Sequence, residues 1–219
     1  MLNVLRRALT TRRLTRHGCR ASEQGLSLVE VAITLSVLSI LAGAMAPVMW
    51  DSIGMARIAR TQNDVRQIAT AIIGFQRDPG RFVPRGTSPE DASQSVRVLA
   101  GKGDLPLVRD AAASAWVDSA SELLDDHLRR NLRNYAMGGP TTTGRWKGPY
   151  LATEILADPW GHRYVVNAWC LSPASRGANG VGCAVFVLSA GPDGVISTPF
   201  NQPIGNADVF GDDIAIRIQ

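Results

Sequence analysis

Histidine and cysteine are scarce in this chain, three of each among 219 residues, which leaves little material for metal-dependent or nucleophilic chemistry. His17, His127 and His162 stand far apart. Only at Asp125-Asp126-His127 does a histidine adjoin two acids. Consecutive residues leave a helix in different directions, so that trio reads as a solvated charge cluster rather than a metal site. No Gly-x-Ser-x-Gly elbow, phosphate loop, dinucleotide fingerprint or His-Glu-x-x-His helix occurs. Without them the chain reads as non-enzymatic.

A uniform basic charge is also missing, although 23 Lys and Arg against 19 Asp and Glu suggest one. Residues 1–25 hold six arginines (Arg6, Arg7, Arg12, Arg13, Arg16, Arg20) against Glu23 alone, a net of +5. The remaining 17 basic and 18 acidic groups give residues 26–219 a net of −1. The body therefore has no global electrostatic case for nucleic acid. The first 25 residues lack an apolar stretch of their own, so they do not read as an ordinary secretory signal by themselves.

What is present is one long apolar run. From Leu26 to Trp50 nearly every side chain is aliphatic or small, and Glu30 is its only ionisable group. Twenty-five helical residues reach roughly 37 Å, enough to cross a hydrocarbon core of about 30 Å. Ser27, Thr34, Ser36 and Ser39 can bond back to the helix or to a neighbour. The arginine-rich leader holds the N-terminus in the cytoplasm by the positive-inside rule and sends the rest outward. Glu30 inside such a segment requires a partner cation, unless it simply reaches water at headgroup level.

Gly25 followed by Leu26-Ser27-Leu28-Val29-Glu30 resembles the class III leader site of the type IV pilin and pseudopilin superfamily. The resemblance implies cleavage between Gly25 and Leu26 by a membrane-embedded prepilin peptidase, and N-methylation of Leu26. It makes the new Leu26 ammonium the natural partner of Glu30 on a neighbouring subunit, a pairing that would set axial register in a dry filament core. Cys19 would leave with the leader, and Cys170 and Cys183 would remain in a disulfide-permissive compartment. The turn-forming residues between them suggest a bridged hairpin, and two thiols are too few for structural zinc.

Along the chain, the resemblance and the residue pattern divide the sequence into a leader (1–25), a transmembrane and assembly helix (26–50), an amphipathic continuation (51–77), a variable insertion (78–147) and a β-sheet head (148–219). In the continuation Val65, Ile68, Ala69, Ile72 and Phe75 recur at helical spacing. Pro47 should kink the helix, and Asp78-Pro79-Gly80 should stop it. Within the insertion, Ser93–Ala100 and Ser119–Tyr135 read as short helices. Tyr164–Trp169 and Ala184–Leu188 read as strands. The fold class is α+β and pilin-like: a long N-terminal helix packed on a small antiparallel sheet.

Gly148-Pro149-Tyr150-Leu151, Asp158-Pro159-Trp160-Gly161, Ser189-Ala190-Gly191-Pro192-Asp193-Gly194 and Asp212-Asp213-Ile214 resemble, in order, the head of the major pseudopilin of type II secretion. Between Arg176 and Arg217 there is no Lys or Arg, yet Asp193, Asp208, Asp212 and Asp213 occur. Such acids either face water separately or share a cation, and hard oxygen ligands suit calcium. The resemblance maps a calcium site onto the Ala190 carbonyl, Asp193 and one or both of Asp212 and Asp213.

The resulting expectation is a structural subunit of a type II secretion pseudopilus. It would self-assemble with other pseudopilins on an inner-membrane assembly platform into a periplasmic filament that drives export. A minor pilin of a type IV pilus or DNA-uptake apparatus is the second reading, and an unprocessed membrane-anchored binding domain the third.

Overall fold

The computed structural model describes residues 25–88, 91, 94–172 and 182–218, the side chains of 46–48 excepted. The leader arginines and most of the turn between the two C-terminal cysteines lie outside these residues. The chain divides into two units, Met1–Val48 and Met49–Gln219.

Helix α1 spans Leu28–Arg77. In the first unit its described side chains are exposed, and this apolar part is long enough to cross a membrane. The hydroxyls of Thr34, Ser36 and Ser39 donate to the carbonyls of Val31, Ala32 and Leu35 at 2.7–2.9 Å, so these three side chains need no water, and Glu30 remains the polar group to be accounted for. At position 47 α1 continues as one helix, and the Pro47 side chain itself is outside the described residues.

In the second unit α1 becomes one-sided. Val65, Ile68, Ala69, Ile72 and Phe75 are buried, and Arg60, Arg66 and Arg77 are exposed. Full burial of each large apolar side chain contributes about 1.5–3 kcal/mol, so this stripe is what holds the helix to the sheet. The helix ends at Asp78-Pro79-Gly80. Gly80 takes φ of +76° and donates its N–H to the Phe75 carbonyl at 3.2 Å, a left-handed turn that caps the last carbonyls.

The strands are β1 (Leu99–Ala100), β2 (Leu107–Val108), β3 (Glu122–Leu123), β4 (Val165–Val166), β5 (Phe186–Ser189), β6 (Val195–Ile196) and β7 (Ile214–Arg217), with helix α2 (Leu124–Leu128) directly after β3. Five of them form one sheet in the order β3-β1-β4-β5-β7, and β2 pairs with β6 in a second sheet. The fold is α+β, a long helix with a small sheet. The expected antiparallel sheet is corrected to a mixed one, because β1–β3 and β2–β6 run parallel.

Two expected helices are also corrected. Ser93–Ala100 ends in strand β1, whose Leu99 and Ala100 pair with both Val166–Val165 and Glu122–Leu123. Ser119–Tyr135 contains β3 and only the five-residue α2. Asn131 and Asn134 adopt φ of 49° and 54°, which a continuing helix cannot accommodate. Strand β4 is shorter than the expected Tyr164–Trp169 because the buried Asn167 side chain takes over the ladder. Its Nδ2 donates to the Ala184 and Phe200 carbonyls and its Oδ1 accepts from Phe186 N, after which Ala168–Leu171 forms a 3-10 turn.

Successive strand side chains point to opposite faces. Leu99, Val166, Val185 and Val187 join the core under α1. Ala100, Val165, Phe186 and Leu188 join a second core on the other face, closed by Ala113, Trp116, Ile196 and Phe200. The inserted region therefore roofs the sheet rather than hanging outside it.

Candidate assembly helix and acidic loop

The exposed start of α1 carries the residues of the expected cut site. Gly25, Leu26 and Ser27 precede the helix, and Ser27 accepts the first turn's hydrogen bond from Val31 N at 3.0 Å. Leu26 is 73% exposed, and Glu30 lies in the first turn, where a carboxylate complements the helix dipole. Leu28, Val29, Ile33, Leu35, Leu38 and Ile40 are likewise exposed. An apolar surface of this length has no stable place in water.

At the other end of the chain, two acidic segments are stitched together. Asp193 N donates to Asp212 Oδ2 at 3.0 Å, and Val195 N donates to Asp193 Oδ1 at 2.7 Å. Gly191, at φ +67°, lies so close to the Asp212 backbone that an added Cβ would fall 2.2 Å from its carbonyl oxygen. Only glycine fits there. Asp193 Oδ2 and Asp212 Oδ1 have no protein partner among the described residues.

Asp213 takes different partners. Its Oδ2 accepts from Ser197 N, Thr198 N and Thr198 Oγ1 at 2.6–3.0 Å. Its Oδ1 is buried without a hydrogen-bond partner. Burial raises the Asp213 carboxyl above its usual range, opposed by the donors from Thr198 and Ser197, and the neighbouring Asp212 charge adds to the rise. Asp208 stands apart, exposed, its backbone tied to the Gln202 side chain at 2.8 and 2.9 Å. Among the described residues no three His, Cys, Asp or Glu side chains converge as a metal centre. A cation here would need backbone carbonyls and water beside the carboxylates, which is the mixed oxygen set calcium accepts.

Cys170 and Cys183 form a disulfide with Cα atoms 5.1 Å apart. Asp158 in the Asp-Pro-Trp-Gly turn is buried. Its Oδ1 accepts from Trp160 N and His162 N, its Oδ2 accepts from the Ser189 hydroxyl at 2.6 Å, and Gly161 takes φ of +99°. The turn thus locks the start of β4 to the end of β5, beside the acidic loop. Ser197 and Thr198 were not singled out in the sequence, and Ser189 entered only as the first residue of its motif, since isolated hydroxyls carry no spacing signal.

The solvated cluster expected at Asp125-Asp126-His127 is corrected. His127 is fully buried, and Asp125 pairs with Arg129 and Arg130 while Asp126 pairs with Arg133. The reason is α2 itself: its short apolar face, Leu124 and Leu128, draws His127 inward with it.

Residues 131–206 match the family model of type II secretion system (T2SS) protein G, and residues 20–46 match that of the prokaryotic N-terminal methylation motif. The methylation motif brackets Gly25, Leu26 and Glu30, and the family domain takes in β4, β5, the disulfide and the first acidic segment. No curated protein and no solved structure matches the chain.

Proposed function

We propose, from the premise that this chain is a pseudopilin of the type II secretion protein G family, that it works as a filament subunit whose exposed apolar helix changes neighbours from lipid to copies of itself. The supporting observation is the helix start. The described apolar side chains between Leu26 and Trp50 are exposed around a single carboxylate, Glu30, and a stretch rich in arginine precedes them in sequence. The arginines keep residues 1–25 on the cytoplasmic side of the inner membrane and the head in the periplasm. Prepilin peptidase removes the leader between Gly25 and Leu26 and methylates Leu26. The new ammonium of one subunit pairs with Glu30 of the next, and with little water present that pair penalises any axial slip. Assembly involves other pseudopilins and an inner-membrane platform, and growth of the filament moves cargo outward.

Calcium belongs to the same reading. The Asp193 and Asp212 carboxylates and the Ala190 carbonyl would hold it between the stitched segments, and the unpaired, buried Asp213 Oδ1 is a further candidate oxygen. A bound dication would neutralise acids that have no basic neighbour in sequence.

Mass spectrometry of the protein purified from membranes tests the processing step. The expected mass is that of a chain starting at methylated Leu26, and an intact leader would overturn the reading. Glu30→Ala should leave membrane insertion unchanged while abolishing crosslinked ladders between subunits. Normal ladders from that variant would remove the registry role.

A further inference from the structure

Residues 107–116 lie in the inserted region, outside the matched family domain. They run beside residues 194–200, which link the two acidic segments. Leu107 N donates to the Gly194 carbonyl and Arg109 N to the Ile196 carbonyl, both at 2.9 Å. The Trp116 indole N–H donates to the Thr198 carbonyl at 2.8 Å, and Phe200 N donates to the Ala112 carbonyl at 3.0 Å. Every second residue of 194–200 is therefore held from this side. Other amides of this segment go to acids: Val195 N to Asp193, and Ser197 N and Thr198 N to Asp213. Among the described residues, strand β6 has no partner in the five-stranded sheet and pairs only with β2.

The contact is also packed. Trp116 is buried and meets the Phe200 ring edge-on at 5.0 Å, and both rings close the second core over Phe186 and Leu188. Detachment of this segment would expose that core to water, so its docking is not a surface decoration.

We propose that residues 107–116 are a brace for the acidic loop: they hold the backbone from Gly194 to Phe200, and through it the approach of Asp193 to Asp212 and the seat of Asp213. The like-charged carboxylates repel, and the brace supplies the opposing attachment. Because the two are linked through one backbone segment, docking of the brace changes the loop's affinity for a cation by the same factor by which the cation changes the docking of the brace. This reciprocity rests on the calcium reading above. The brace itself does not.

Hydrogen exchange read by mass spectrometry on the full-length processed protein in detergent tests both parts. Trp116→Phe keeps an apolar ring and deletes the indole donor, and Leu107→Pro deletes the amide that reaches Gly194. Each should speed exchange across 194–200 by about fivefold, the weight of one net hydrogen bond, while β4 and β5 keep their protection. Unchanged exchange at 194–200 in both variants would overturn the brace. If Leu107→Pro also opens β4 and β5, Trp116→Phe decides. Calcium, compared with chelator, should slow exchange at Leu107 and Arg109, although neither has a carboxylate to offer it. Protection by calcium at 193–195 without any at 107–109 would refute the reciprocity. No calcium effect anywhere would refute the metal reading and leave the brace to be judged on the variants.

Discussion

The Tyr164 hydroxyl donates to Asp64 Oδ2 at 2.8 Å, joining the start of β4 to the amphipathic half of α1 across 100 residues of sequence. Burial, followed by the bond to Asp64 and its charge, keeps this phenol protonated well above its ordinary range, so the donor is present at every physiological pH. Asp64 also meets Arg60 one turn earlier, at 3.6 Å. The helix is thereby fixed to the head in rotation, where apolar packing alone would tolerate slip.

Tyr164→Phe deletes that donor and keeps the ring. The loss should be about 1.5 kcal/mol, the range for a hydrogen bond to a charged acceptor. Urea denaturation of the processed protein in detergent, followed by tryptophan fluorescence, measures it. A variant as stable as the parent would show that packing alone orients the helix.

His127 predicts an acid-labile head. Its Nδ1 lies 2.7 Å from the Tyr135 hydroxyl, its ring packs edge-on against Phe82, and its Nε2 is buried without a hydrogen-bond partner. Burial, and then the Arg133 charge, lowers its pKa from 6.5 to about 3. The folded state thus binds fewer protons than the unfolded state between those values. Stability is present above the unfolded pKa and declines as pH falls toward 3. Between pH 7 and 4.5 this group alone should remove about 2.5 kcal/mol. His127→Gln cannot titrate, so its stability difference from the parent should narrow by that amount over the same interval. A constant difference would mean that His127 is charged in the folded protein.

The Cys170–Cys183 bridge joins residues 13 apart. Closing a loop of that size removes unfolded-state entropy worth about 3 kcal/mol. Replacing both cysteines by alanine should lower stability by that order, with β4 and β5 still formed in hydrogen exchange. An unchanged midpoint would place the reference chain already compact around this turn.

Calcium should raise the melting temperature of the processed protein relative to chelator, and Asp212→Asn should abolish the increment. Asp208→Asn should not, because Asp208 stands apart from the stitched pair. Equal melting temperatures with saturating calcium and with chelator would remove the metal.

Much of this architecture was legible from local signals. The apolar run, the Val65–Ile68–Ile72–Phe75 stripe and the Asp78-Pro79-Gly80 stop depend on residues within a few positions of one another, and α1 ends where they place it and begins at Leu28 rather than the expected Leu26. The region from 85 to 145 was not legible. Its strands are two residues long and exist only through pairing, Leu99 with Val166 and Glu122, and Leu107 with Val195. The leucines at 123, 124, 128 and 132 look helical in sequence, yet Leu124 and Leu128 are buried whereas Leu123 and Leu132 are exposed. In the acidic loop the residue types were plain, but which aspartate meets Asp193 was not. Asp212 and Asp213 are adjacent in sequence, yet Asp212 accepts from Asp193 N whereas Asp213 accepts from Ser197 and Thr198.

Residue order by itself determined the leader, the long oily helix and its end, because periodicity and backbone stereochemistry act over a turn or two and need no distant partner. Only the tertiary structure decided that the insertion roofs the sheet, that His127 is sealed inside, and that Asp212 rather than Asp213 joins Asp193. Each of those depends on which surfaces remain to be covered once the chain has closed, and a two-residue strand has no stability until its neighbours are in place.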